Sequence, residues 1–249
     1  MHFTKIIIFF SLLLTVFFSS CNDEQVKTEK KKADAKADSA ALHVAILPVD
    51  ECLPAVVARN IGVFDSLKVD VRLKQFRAVS ECQRAMEKQW VEGSVVDSAI
   101  VWRFLTSKRS RISRREQLAD KIIGSDTRGT TYGLAKSMTD SLEKKKEMVY
   151  IVQVEDLKVR YDMLFVGNID AALLPEPYAT KALQEGAKEI KLPSEPSKKK
   201  KSSAIALYRF SKEALQSPDR QKQIELFHKA LAIAQDSIAR FGKDHYRTK

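Results

Sequence analysis

From Leu42 onward the chain alternates short apolar runs with segments whose apolar residues recur every three or four positions. LHVAILP (residues 42–48) predicts a buried strand, LPAVVARNIGVF a helix and VDVRLKQF a strand with alternating faces. SECQRAMEKQWVEG predicts a helix with Ser80 as N-cap and Gly93 at its end, and VVDSAIV a further strand. A second series begins at Lys121, with KIIGSD, MVYIVQV and IDAALLP as strands and TTYGLAKSMTDSLEKK, DLKVRYDMLFVG and EPYATKALQEG as the helices that follow them. A lysine-rich loop, PSEPSKKKKSS, then precedes a returning strand, SAIALYRF, and a long closing helix. That helix carries Ser217 as N-cap, Pro218 in its first turn and Gly242 as its stop. Ile224, Phe227, Leu231, Ala234, Ile238 and Phe241 form one stripe along it, which reads as core packing.

The βαβ order of both series implies parallel sheets covered by helices, an α/β fold. Two lobes are expected, each a mostly parallel sheet flanked by helices: residues 42–120 with 204–249, and residues 121–203. They would be joined near residues 119–122 and 203–207, with a cleft between them. In open parallel sheets ligands sit off the carboxyl ends of the strands, so both lobes would aim such ends into the cleft.

Ahead of this body, residues 6–18 (IIIFFSLLLTVFF) are uncharged, follow Lys5 and lead into Ser19, Ser20 and Cys21. A basic start, a short apolar stretch and small residues before a cleavage point outline a signal peptide over residues 1–20, whereas a spanning helix needs about 20 apolar residues. Small residues directly before a cysteine resemble the lipobox of bacterial lipoproteins, in which that cysteine is acylated and becomes the new N-terminus; Phe18 stands where leucine is usual. The plainer readings are an ordinary signal peptide or an uncleaved anchor. Residues 21–41 would then be a lipidated N-terminus and a tether too polar to bury surface, holding the protein at a bacterial cell envelope through Cys21.

The tether's five lysines offset its five acids, so the formal net charge of +11 rests almost wholly on the body. SKRSRISRR (107–115) and KKKK (198–201) raise nucleic acid as a partner, but neither interleaves aromatics for base stacking, and no nucleic-acid partner is expected. His43, His228 and His245 have no metal-ligand spacing to one another or to the cysteines, and no phosphate loop or Ser-His-Asp order occurs, so neither metal, cofactor nor enzyme is expected. Exported thiols oxidise, which predicts a Cys52–Cys82 disulfide adding about 3–4 kcal/mol, with two free thiols as the alternative.

The stretch LHVAILPVDECLPAVVARNIGVFDSLKVDVRL, with Ala58, Gly62 and Phe64 at the end of its helix, resembles the opening of substrate-binding proteins of bacterial ABC importers. The group is the one that includes nitrate, sulfonate, taurine and thiamine-precursor binders. QLADKIIGSDTRGTTYGLAKSM resembles the entry into the second lobe of such proteins, and IDAALLPEPYATKA is similar to their helix entry at an acid, proline and tyrosine. The resemblance covers most of residues 42–240 and implies a type II periplasmic-binding fold. It implies a monomeric receptor that closes on a small-molecule solute and delivers it to the membrane subunits of an ABC permease. The basic body and the candidate anion sites at helix N-termini tilt the solute toward an anion. Between Ile100 and Ile112 the family has a further helix and strand where this chain has only VWRFLTSKRSR, which puts the contact after the third strand in question. The related fold also hosts thiamine-pathway enzymes with a cysteine nucleophile, which makes Cys52 the alternative catalytic residue; a surface or signalling lipoprotein without transport is the other alternative.

Three strand-to-helix turns hold the candidate ligand residues. Asp50, Glu51 and Cys52 follow the first strand, and their plain reading is a solvated turn. Ser125, Asp126, Arg128, Thr130 and Thr131 could hold an anion with hydroxyls and helix N–H groups, although capping by Thr130 accounts for part of that cluster. Glu176 and Tyr178 flank Pro177, which suits a first helical turn. Arg77 could pair with an anionic solute or lie exposed, and Trp102 could stack on a flat ligand or belong to the core.

Overall fold

The computed structural model describes residues 38–193 and 208–247. The expected signal peptide, acylated Cys21, most of the tether and the lysine loop lie outside the described residues. Of the unit Met1–Ala41, residues 38–40 form a helical turn. The other unit is Leu42–Lys249.

Its strands are β1 (Leu42–Ile46), β2 (Val71–Gln75), β3 (Gly93–Val95), β4 (Arg103–Thr106), β5 (Ile122–Ser125), β6 (Tyr150–Gln153), β7 (Ala171–Leu174), β8 (Lys188–Ile190) and β9 (Tyr208–Phe210). Its helices are α1 (Leu53–Asn60), α2 (Val63–Ser66), α3 (Val79–Glu87), α4 (Thr130–Glu143), α5 (Leu157–Val166), α6 (Tyr178–Gln184), α7 (Lys212–Gln216), α8 (Pro218–Phe241) and α9 (Asp244–Arg247). One sheet has the order β2-β1-β3-β9, the other β6-β5-β7-β4-β8. β1 lies parallel between β2 and β3 and is buried at every position, as a strand flanked on both faces must be. β5 is likewise parallel to β6 and β7, whereas β4 runs antiparallel to β7 and β9 antiparallel to β3.

Sequence and structure part in several places. Gly62, at φ +72°, breaks the first helix into α1 and α2 because only a left-handed residue can turn the chain there. Ala78, not Ser80, holds the N-cap position of α3 and no side chain caps it; Ser80 lies inside the helix with its hydroxyl on Glu155 at 2.5 Å. VVDSAIV yields its strand one turn early, and Asp97–Ala99 is a 3-10 helix. β4 arises from the segment that resembled a deletion, so the second sheet begins at Arg103 and the chain crosses between sheets over residues 96–102. β8 was not legible as a strand either, being exposed at two of its three positions. The α8 stripe is buried from Ile224 to Ile238, but Phe241 at the helix end is 58% exposed.

The expected disulfide is absent: Cys52 and Cys82 are free thiols, each 1% exposed. They pack as small hydrophobes inside the first half. Burial pushes Cys52 up to about 11 and Cys82 up to about 12. Phe227 centres the same core, with Tyr208 edge-on at 5.1 Å and Phe64 stacked at 6.0 Å. One buried cluster runs from there through β1 to Trp102, Phe104 and Ile123 of the second sheet. A smaller one, around Leu105, Tyr161 and Leu164, lies under α5 and α6.

Candidate functional site

The turns that follow the parallel strands of the two sheets meet in pairs. After β1 and β7, the Asp50 N–H donates to the Glu176 carbonyl at 2.9 Å. After β2 and β6, the Leu157 N–H donates to the Arg77 carbonyl at 3.1 Å, beside the Ser80–Glu155 bond. After β3 and β5, the Thr130 N–H donates to Asp97 Oδ2 at 2.8 Å. The last contact caps α4 in trans, because Gly129 ahead of it has no side chain to offer. Gly129 has φ +86°, and a Cβ there would stand 2.9 Å from Asp97 Oδ2, so any other residue would push the carboxylate away.

Beneath this seam lies a buried ion pair. Arg160, fully buried on α5, donates through Nε to the Val154 carbonyl at 2.6 Å, through Nη1 to the Leu173 carbonyl at 3.1 Å and through Nη2 to Asp126 Oδ1. The second Asp126 oxygen accepts from the Thr131 hydroxyl at 2.7 Å. Burial pushes the Asp126 carboxyl above its ordinary value, against the opposing pull of Arg160 and Thr131. The Arg160 guanidinium also faces the Trp102 ring, 5.9 Å from its centroid. Around this pair three polar atoms are buried without a partner: Asp97 Oδ1, Trp102 Nε1 and Ser125 Oγ. Such atoms cost about 1–3 kcal/mol each when dry, so the seam is an incompletely satisfied polar centre. Among the described residues no group of three or more His, Cys, Asp and Glu side chains could hold a metal ion.

No protein-family model matches the chain, and no curated protein matches it. Solved structures do. A protein from Bordetella bronchiseptica RB50 aligns with a TM-score of 0.61 at 17% identity, over 84% of this chain and 75% of that one. The alkanesulfonate-binding protein from Xanthomonas axonopodis pv. citri, bound to MOPS, aligns at 0.58 and 13% identity, over 81% and 75%. A Candida albicans protein described as having the generic periplasmic binding protein structural fold aligns at 0.57 and 13%, over 80% and 72%. The chain has the periplasmic-binding-protein fold. In this binding-protein fold the seam just described lies at the carboxyl ends of the parallel strands, where the sequence had directed attention.

The binding-protein fold distributes the sequence-derived candidates unevenly. Ser125, Asp126, Thr130, Thr131 and Trp102 surround the buried pair or its cap. Thr131, rather than Thr130, uses its hydroxyl, and Arg128 is exposed. Glu176 is held by Arg103 at 2.8 Å and by the Thr180 N–H at 3.0 Å, so it buttresses the turn. The Tyr178 ring packs 5.9 Å from that of Tyr161. Asp50 pairs with Lys243 at 2.8 Å and Arg247 at 2.5 Å; burial alone would raise its carboxyl, but these two cations hold it below its ordinary value. Glu51 accepts the Val101 N–H at 2.9 Å and is pushed up by burial. The Arg77 side chain is 82% exposed, 3.9 Å from Asp156. Sequence reasoning missed Asp97, Glu155 and Arg160. Arg160 had a signal: it sits on the stripe Leu157, Tyr161, Leu164, where a cation has no place without a buried partner.

Proposed function

We propose that the protein is a membrane-tethered solute-binding receptor of an ABC importer, closing two lobes on a small anionic solute and delivering it to the permease. The observation that carries this reading is the seam: three pairs of strand-end turns meet through a few hydrogen bonds around a polar centre with unused groups. Strand-end turns are where open α/β sheets take ligands, and hinge closure is how two such halves capture them. The lobes expected as residues 42–120 with 204–249, and 121–203, are redrawn in this reading along the two sheets, as 42–95 with 208–247, and 103–193, hinged over the 96–102 crossing. Acylation of Cys21 and the tether after it would keep the receptor at the envelope.

The preference for an anion rests on the groups left unused. Trp102 Nε1 and the Ser125 hydroxyl are buried donors in search of acceptors, and the amino end of α4 favours negative charge. Asp97 occupies that helix end, with its Oδ1 unpaired. A carboxylate, sulfonate or phosphate would replace it there. The sulfonate-binding neighbour supports the same class. The buried Cys52 thiol, raised to about 11, weighs against a cysteine nucleophile, which needs a thiolate near neutral pH.

The test is thermal unfolding of the full chain with a panel of sulfonates, carboxylates, phosphates, amino acids and pyrimidines. A ligand at 100 times its Kd stabilises by about 2.7 kcal/mol, a shift of about 5–11 °C for a body of this size. Asp97→Asn should tighten an anionic ligand and weaken a cationic one. If no solute raises the Tm, the receptor reading falls and the non-transport lipoprotein takes its place.

A further inference from the structure

The basic segment SKRSRISRR has no part in the seam. β4 runs antiparallel to β7, with Thr106 opposite Ala171, so Ser107 and the residues after it lie beyond the amino end of β7. Asp126 and Glu176 follow the carboxyl ends of β5 and β7. At about 3.3 Å per residue, the length of a four-residue strand puts the basic segment at least about 10 Å from them, at the opposite pole of the sheet.

There the segment rims a cavity of about 580 Å³, whose lining includes Lys108, Arg109, Arg111, Leu164 and Phe165. The turn is fixed from beneath: the Ser107 N–H donates to the Asp170 carbonyl at 2.7 Å, the Ser110 hydroxyl to the Ser107 carbonyl at 2.9 Å and the Thr106 hydroxyl to the Ile112 carbonyl at 2.9 Å. The stems of Arg109 and Lys108 lie over Gly167 and Gly186, so close that a Cβ would meet them at 2.6 and 2.9 Å. Among the described residues none of the three cations forms an ion pair. The one acid of the lining, Glu185, takes the Tyr161 hydroxyl on Oε2. Phe165, 55% exposed, offers an apolar wall.

We propose that this pocket binds a phosphate-bearing molecule with an apolar body, the phosphate on Arg109, Arg111 and Lys108 and the body against Phe165 and Leu164. Two guanidiniums on one anchored turn match phosphate geometry, and the fixed turn lowers the ordering cost of binding. The phosphate belongs either to a soluble ester or to a lipid headgroup.

The test uses the full chain, titrated calorimetrically with phenyl phosphate and inorganic phosphate and sedimented with phosphatidylglycerol or phosphatidylcholine vesicles; an N-terminal anchor would act equally on both. Phenyl phosphate should bind more tightly than inorganic phosphate, and Phe165→Ala should erase that difference. Lys108→Gln/Arg109→Gln/Arg111→Gln, checked for folding by circular dichroism, should weaken phenyl phosphate at least tenfold. If the triple variant also loses a phosphatidylglycerol preference, the source is the headgroup; if the wild type has no such preference, it is the soluble ester. Wild-type protein that binds neither phenyl phosphate nor phosphatidylglycerol selectively, or a folded triple variant that binds both as wild type does, overturns the proposal.

Discussion

Replacing Arg160 with methionine tests the polar centre most directly. Three donor contacts vanish: those to the Val154 and Leu173 carbonyls and that to Asp126. Two carbonyls lose their guanidinium donor and the Asp126 carboxylate keeps only the Thr131 hydroxyl and no counter-charge, while methionine repacks most of the lost volume. Breaking a buried pair from one side costs about 3–5 kcal/mol. With a urea m-value of about 3 kcal/mol/M for a body of this size, the unfolding midpoint should fall by about 1–1.7 M. Asp126→Asn in the same chain removes the stranded charge and should recover about 2 kcal/mol or more of that loss. The pH dependence has a definite sign. Burial holds the folded Asp126 carboxyl above its unfolded value, so its contribution to stability is full below about pH 3.9 and is lost as pH rises through the folded value. Without Arg160 the folded value climbs further and the loss deepens. Urea titrations of the wild type, single and double variants at pH 5 and pH 8, read by circular dichroism, measure all of this. A single variant within 1 kcal/mol of wild type, or a double variant no more stable than the single, would refute the reasoning.

Four further outcomes follow from the same geometry. Native protein should leave Cys52 and Cys82 unreactive toward a chromogenic disulfide reagent at pH 8, and urea should release both thiols without reductant; a missing pair of thiols would mean a bridge. Gly129→Ala should cost about 1–3 kcal/mol in thermal or urea unfolding, through left-handed strain and displacement of Asp97. Asp50, held low by Arg247 and Lys243, contributes stability above its unfolded value near pH 3.9 that is lost as pH falls through the folded value; Lys243→Gln/Arg247→Gln should flatten that acid limb. Phe227→Ala should cost about 3–5 kcal/mol by calorimetry, since the ring is fully buried among Phe64, Tyr208 and Phe210.

Much of the fold was legible because its parallel strands are continuous apolar runs and its helices keep their period, as β1 and α8 do. β4 and β8 were not legible, because strands of only four and three residues, the first beside a basic turn and the second at the sheet edge, carry no periodic signal. The candidate turns were found by position alone: a strand followed by Asp, Ser or Thr. Which side chains meet across the seam depends on how two distant segments dock, and no local pattern reports that. Asp97 was hidden within a run read as strand, and Cys52 and Cys82 were assigned a bond where the core needed only their volume.

The crossing over residues 96–102 has a mechanical consequence. It carries Asp97, which holds the amino end of α4, and Trp102, which lies over Arg160. Under the closure proposed above, the bending element and the fastening would be the same few residues of chain, so a molecule that evicts the Asp97 carboxylate would pull on the joint itself.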